Sequence, residues 1–127
     1  MPFYHVWFAT KKRKWFLEGE LGTRTKELLR EIADEKGIRM LECEAIVDHV
    51  HLLIEAEDTT ELSKAMNLVK GVLARRLNQE FPELKFDLGV VHLWQQRYLV
   101  KVVPESAVAY VMTYIRTQWD RLEPYEG

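Results

Sequence analysis

Cysteine is nearly absent: Cys43 stands alone in 127 residues. That excludes a disulfide framework and a thiolate metal cage, and it makes a reducing, intracellular setting the expectation. Long apolar runs are also missing, since no uncharged stretch approaches the ~20 residues of a membrane-spanning helix. The start, Met1-Pro2-Phe3-Tyr4-His5, lacks the basic and apolar regions of a signal peptide. A cytoplasmic protein with no membrane partner is expected. Repeats, linkers and low-complexity tracts are lacking too, so residues 1–127 read as one domain. Nor is there an excess of one charge: the net value of −2 does not by itself advertise a nucleic-acid binder.

What is present suits a globular chain, with 47% apolar and 30% charged residues. Positive charge is unevenly placed. Lys11-Lys12-Arg13-Lys14 forms a cluster followed by Trp15 and Phe16, and it reads either as a solvated loop or as a phosphate contact.

Aromatic and β-branched residues 3–10 predict a first strand. Leu21, Leu28, Leu29, Ile32 and Ala33 fall at helical spacing over residues 20–36, with Gly37 where a C-cap belongs. Residues 38–47 predict a second strand, paired as a hairpin with a third that begins after Asp48. Asp58 caps a second helix whose apolar stripe runs from Leu62 to Leu77 and whose other face carries Lys64, Asn67, Lys70, Arg75 and Asn78. Residues 83–90 read as loop, 91–94 and 98–103 as one broken strand or a pair, and 104–122 as a last helix. The order β-α-β-β-α-β-α predicts an α+β, ferredoxin-like fold: an antiparallel sheet with helices on one face and an extra C-terminal helix.

The third strand, Asp48-His49-Val50-His51-Leu52-Leu53-Ile54-Glu55, carries the chemistry. Alternation puts His49, His51, Leu53 and Glu55 on one face and Val50, Leu52 and Ile54 on the other. Two neutral imidazoles so placed can ligate one divalent cation; hydrogen-bonded or solvent-facing histidines are the other reading. In the last helix Tyr110, Tyr114 and Gln118 lie one turn apart along one face. Tyrosine can act as a nucleophile and a carboxamide oxygen as a neutral hard ligand.

His49-Val50-His51 on a central strand, a basic helix after it, and Tyr114-Ile115-Arg116-Thr117-Gln118 on the last helix together resemble the single-tyrosine transposases of the HUH endonuclease superfamily. These serve small bacterial and archaeal insertion sequences, and the REP-associated tyrosine transposases are among their relatives. The resemblance extends from Tyr4-His5-Val6-Trp7 through Leu93-Trp94-Gln95 to Gln118. It implies a metal-dependent enzyme that cuts and rejoins single-stranded DNA at hairpin-bearing ends through a 5′-phosphotyrosine. Carried over, His49, His51 and Gln118 match the ligands of Mg²⁺ or Mn²⁺, and Tyr114 matches the nucleophile. It also implies a homodimer and no nucleotide cofactor. Tyr110 reads as packing or interface. Charge and helix face alone nominate Lys11, Lys12, Arg13, Lys64, Lys70 and Arg75 as DNA contacts, and Arg116 as either a phosphate contact or an ordinary surface residue.

Other phosphoester enzymes fit poorly. Two-histidine phosphoesterases need a second His-x-Thr/Ser motif, and histidine-triad hydrolases need a histidine where Leu53 stands. The rival from another class is a non-catalytic single-strand binder that stacks bases on Tyr4, Trp7, Phe8, Trp15 and Trp94. A binder needs only the shape of Tyr114; a strand transferase needs its oxygen.

Overall fold

The computed structural model describes residues 1–121. Apolar alternation along Phe3–Ala9 (β1), Arg39–Ile46 (β2), His49–Glu55 (β3) and Leu99–Val103 (β4) builds one four-stranded sheet in the order β2-β3-β1-β4, with every pair antiparallel. Two helices, Gly19–Lys36 (α1) and Thr59–Glu80 (α2), pack on one side. Each begins or ends as its sequence dictates. Gly37 closes α1 in the left-handed region at φ 65°, and the Asp58 side chain accepts from the Glu61 N–H at 2.8 Å at the start of α2. Tyr4, Val6, Phe8, Val50, Leu52 and Ile54 from the central strands meet Leu28, Leu29, Ile32, Met66, Val69 and Leu73 from the helices in the main core.

The ferredoxin-like plan is therefore present, and the extra helix, Val108–Arg116 (α4), crosses the opposite face. Leu53, Val103 and Ile115 form a second, smaller core there. Trp119 Nε1 donates to the Ala45 carbonyl at 3.1 Å, and Arg116 lies 3.7 Å from the buried Glu42 carboxylate, so α4 is docked on its own sheet as far as β2.

Three boundaries differ from the sequence expectation. Residues 83–90 are not loop: Leu84–Leu88 form a short helix (α3), closed by Gly89 at φ 65°. Five residues are too few for a helical period to register. Of residues 91–94, only Trp94 makes a bridge, to Thr10, while Leu93 and Trp94 are buried in the main core. The last helix stops at Arg116 rather than 122, because Thr117 Oγ1 turns back to the Thr113 carbonyl at 2.7 Å and Trp119 is drawn to β2. Leu122 lies outside the described residues.

Candidate active site

β1 ends where β3 begins, so register sets Ala9 opposite His49 and Trp7 opposite His51. On this face the His49 and His51 ring centroids lie 4.9 Å apart. It is the face that α4 crosses, and α4 brings the Tyr114 ring edge-on to His51 at 6.4 Å and to His5 at 5.9 Å between centroids. A cleft of about 420 Å³ is lined by His49, His51, Tyr114 and Gln118, together with Trp7 and Arg13. The two motifs, some sixty residues apart in sequence, thus meet in one place.

Neighbouring side chains orient both imidazoles. Asp48 Oδ1 accepts from His49 Nδ1 at 2.7 Å, and a carboxylate can only accept, so the His49 lone pair resides on Nε2. Arg13 Nε donates to the other Asp48 oxygen at 2.8 Å. Burial opposes the Asp48 charge, but the hydrogen bonds from Arg13 and His49 outweigh it and hold the carboxyl below its ordinary pKa. His51 Nδ1 meets His5 Nε2 at 2.9 Å in a buried contact. When His51 donates in that pair, its Nε2 lone pair is left for a ligand. Burial above all, then His49 and His5, holds the His51 pKa down to about 3, and burial with Lys101 lowers that of His5.

The backbone beside Asp48 is strained. Val47, a β-branched residue, has φ 53°, and Lys12 and Arg13 have φ 57° and 54°. Such a conformation costs on the order of 1 kcal/mol or more per residue. It is held at Val47 by hydrogen bonds to Leu17 in both directions. The strained turns place Arg13 and Asp48 together.

Among the described residues, no three His, Cys, Asp or Glu side chains gather in a way that could hold a metal ion. Gln118, a neutral oxygen-bearing side chain, lines the same cleft as both histidines. Gln118 Nε2 donates to the Tyr114 carbonyl at 2.9 Å, which leaves its oxygen as the donor atom toward a cation. Two imidazole nitrogens and a carboxamide oxygen are a neutral donor set whose chemistry is compatible with a divalent cation.

The nominated basic residues scatter. Arg13 lines the cleft, paired with Asp48, while Lys12 is exposed in the adjoining turn. Lys11 and Arg75 line a separate groove. Three of them have partners within the chain or lie away from the cleft. Lys70 Nζ donates to the carbonyls of Gln95, Gln96 and Arg97 at 2.6, 3.1 and 3.4 Å, so its donors serve the chain itself. Arg116 pairs with Glu42 rather than facing the cleft. Lys64 lies with Glu55 and Glu61, about 20 Å along β3 from His49. Tyr110 is 69% exposed. Of the aromatics available to a stacking binder, Tyr4, Phe8 and Trp94 are buried under α1 and α2, and only Trp7 and Trp15 reach the surface.

His5 and Asp48 were not singled out from the sequence as site residues. The alternation His5-Val6-Trp7 was a usable signal for a polar face on β1, but its alignment with His51 depends on register.

With EDTA present, stability is expected to fall as the pH drops. His5, His51 and Asp48 all have lowered pKa values in the folded state, so the unfolded chain binds more protons below pH 6.5. Urea denaturation should show a loss of about 2–3 kcal/mol between pH 7 and pH 4. A flat profile across that window would contradict the buried, neutral imidazole pair.

A ferredoxin-like sheet with paired histidines beneath a tyrosine-bearing helix defines the class of small DNA transposases, and comparison with known proteins agrees. A family model described as "Transposase IS200 like" matches residues 3–118. The ISDra2 transposase TnpA of Deinococcus radiodurans is 34% identical over 118 residues, covering 93% of this chain and 84% of that protein. The transposase for insertion sequence element IS200 of Salmonella typhimurium is 32% identical over 115 residues, covering 91% and 75%. Among solved structures, a Deinococcus radiodurans protein described as a transposase superposes with TM-score 0.73 at 34% identity, over 93% of this chain and 92% of that one. A REP-associated tyrosine transposase, solved bound to a REP hairpin, shares the fold at TM-score 0.65 and 11% identity, over 94% and 67%. The chain belongs to the IS200-like transposase family, whose members cut and rejoin DNA.

Proposed function

We propose that this transposase cuts single-stranded DNA at hairpin-bearing ends with Tyr114 as nucleophile, and that Mg²⁺ or Mn²⁺ is held by His49, His51 and Gln118. The observation that carries the reading is the Tyr114 ring lying edge-on to His51, with Gln118 one turn further on and lining the same cleft as both histidines. A divalent cation bound there supplies charge stabilisation to the scissile phosphate.

The protein's own residues account for the rest. The Tyr114 oxygen attacks phosphorus in line, the phenolic proton leaves to solvent, and the bond to the 3′ oxygen breaks as that oxygen takes a proton from solvent. The products are a 5′-phosphotyrosine and a free 3′-OH. A 3′-OH then attacks the phosphotyrosine, restoring the phosphodiester and returning the proton to the phenol, so no nucleotide cofactor is consumed. Gln118 and Tyr114 are tied by a hydrogen bond across one helical turn, which fixes ligand and nucleophile in one frame. Support for a hairpin substrate comes from the REP-associated relative, solved with a REP hairpin.

The test is a labelled single-stranded DNA pool containing hairpins, incubated with Mn²⁺ or EDTA and resolved on a denaturing protein gel. A metal-dependent covalent adduct supports the reading. DNA binding on a native gel with no adduct for any hairpin would replace it with a binding module.

Asp48→Asn is expected to weaken Mn²⁺ binding by 10- to 100-fold, since a neutral amide holds His49 less firmly in its tautomer. Calorimetric titration of the metal without DNA reads this directly, and an unchanged affinity would remove Asp48 from the site.

The proposal includes a homodimer. β4 is an edge strand with Leu99, Val100 and Val102 exposed, an uncovered apolar rim of the kind that pairs with another chain. Light scattering should give twice the chain mass of 15.1 kDa; a monomer at working concentration would exclude the dimer.

A further inference from the structure

A groove of about 600 Å³ runs between α2 and residues 91–96, outside the catalytic cleft. Its lining includes Lys11, Arg75 and Lys85, and no carboxylate. In a chain of net charge −2 this is segregation. The adjacent arginines of α2 make the point: Arg76 is paired with Glu35 of α1, near Arg24 with Glu80, whereas Arg75 turns to the groove. Acidic partners are thus gathered on the α1–α2 surface and kept from this one.

The groove is also rich in amides. Gln79, Gln95 and Gln96 line it, side chains that can both donate to and accept from base edges. Asn78 stands on its wall with Nδ2 given to the Ala74 carbonyl and Oδ1 buried with no partner among the described residues. Gln95 lines this groove and the catalytic cleft alike. The ridge between them is fixed by Lys70, which holds three successive carbonyls from 95 to 97.

We propose that this groove binds the unpaired DNA strand that continues from the catalytic cleft, with Lys11, Arg75 and Lys85 on phosphates and Gln79, Gln95 and Gln96 on base edges. The proposal rests on reading the cleft as a strand-cleavage site. A polyanion leaving that cleft past Gln95 meets the carboxylate-free surface directly.

The test compares Arg75→Gln/Lys85→Gln with Arg24→Gln/Arg76→Gln, which removes equal charge from the α1–α2 surface. Binding of fluorescent dT20 is followed by anisotropy against salt. Each phosphate released from contact lowers the single-strand slope by about 0.7, so the groove variant should lose about 1.4 in slope and bind about tenfold more weakly at 0.1 M salt. The control should retain the wild-type slope. Equal losses in both variants, or none in either, would overturn the proposal. The hairpin adduct assay, run on the wild-type protein, judges the cleft separately. If the wild-type protein forms none, the cleavage reading fails while the dT20 comparison still decides the groove.

Discussion

Tyr114→Phe is expected to abolish the covalent protein–DNA adduct, lowering strand cleavage by about 10⁴-fold or more, as removal of a nucleophile does when no second group can replace it. The substitution deletes one oxygen and keeps the ring, so the edge-on contacts with His5 and His51 persist. The ring packing should therefore be kept, and single-strand binding should survive. Tyr110→Phe is the matched control. Tyr110 is one turn nearer the start of α4, two turns from Gln118, and 69% exposed, so its variant should form adduct normally. If Tyr114→Phe still forms adduct and Tyr110→Phe does not, the nucleophile has been misassigned. Adduct from both variants would exclude a tyrosine on this helix face altogether.

The sequence was most informative where a local period decides structure. Alternation in Val50, Leu52 and Ile54 against His49 and His51 predicts which side of β3 joins the main core, and Gly37 and Asp58 mark helix ends that the structure keeps. Spacing in α4 likewise predicts that Tyr114 and Gln118 share a face, and both line the cleft. What was hidden depends on register and on long-range packing. His5 reaches His51 only because β1 pairs with β3 in one particular alignment, and no periodicity in residues 3–9 reveals it. Charge alone does not reveal which partners a basic side chain finds within the chain. Lys70 and Arg116 look like phosphate contacts on helical projections, yet Lys70 serves three carbonyls and Arg116 serves Glu42, partners remote in sequence. Helix face nominates Arg75 and not Arg76, and in the structure Arg75 lines the groove while Arg76 pairs with Glu35 of α1. Aromatic content misled in the same way, because Tyr4, Phe8 and Trp94 supply core volume rather than a stacking surface.

The two histidines should respond differently to truncation. His49→Ala and His51→Ala each remove one proposed ligand, and each is expected to reduce metal-dependent cleavage by about 10³-fold, the scale of losing one well-placed electrostatic group from a site. Their costs in stability should diverge. His49 is only partly buried and its partner Asp48 retains Arg13, so His49→Ala should change the unfolding free energy by under ~1 kcal/mol. His51 is 7% exposed and bonded to His5 inside the sheet face, so His51→Ala opens a cavity and strands a ring nitrogen. A loss of about 2–3 kcal/mol follows. The comparison isolates the chemistry: His49→Ala gives an inactive protein with a near-normal fold, whereas any defect of His51→Ala mixes the two. Denaturation curves without metal, set beside adduct yields with Mn²⁺, measure both quantities on the same preparations. Full activity in a folded His49→Ala protein would show that the strand carries the tyrosine helix but no ligand, and the cleft would then need another source of charge for the scissile phosphate. Arg13, held by Asp48, and Arg97 both line it and are the cations in position to supply it.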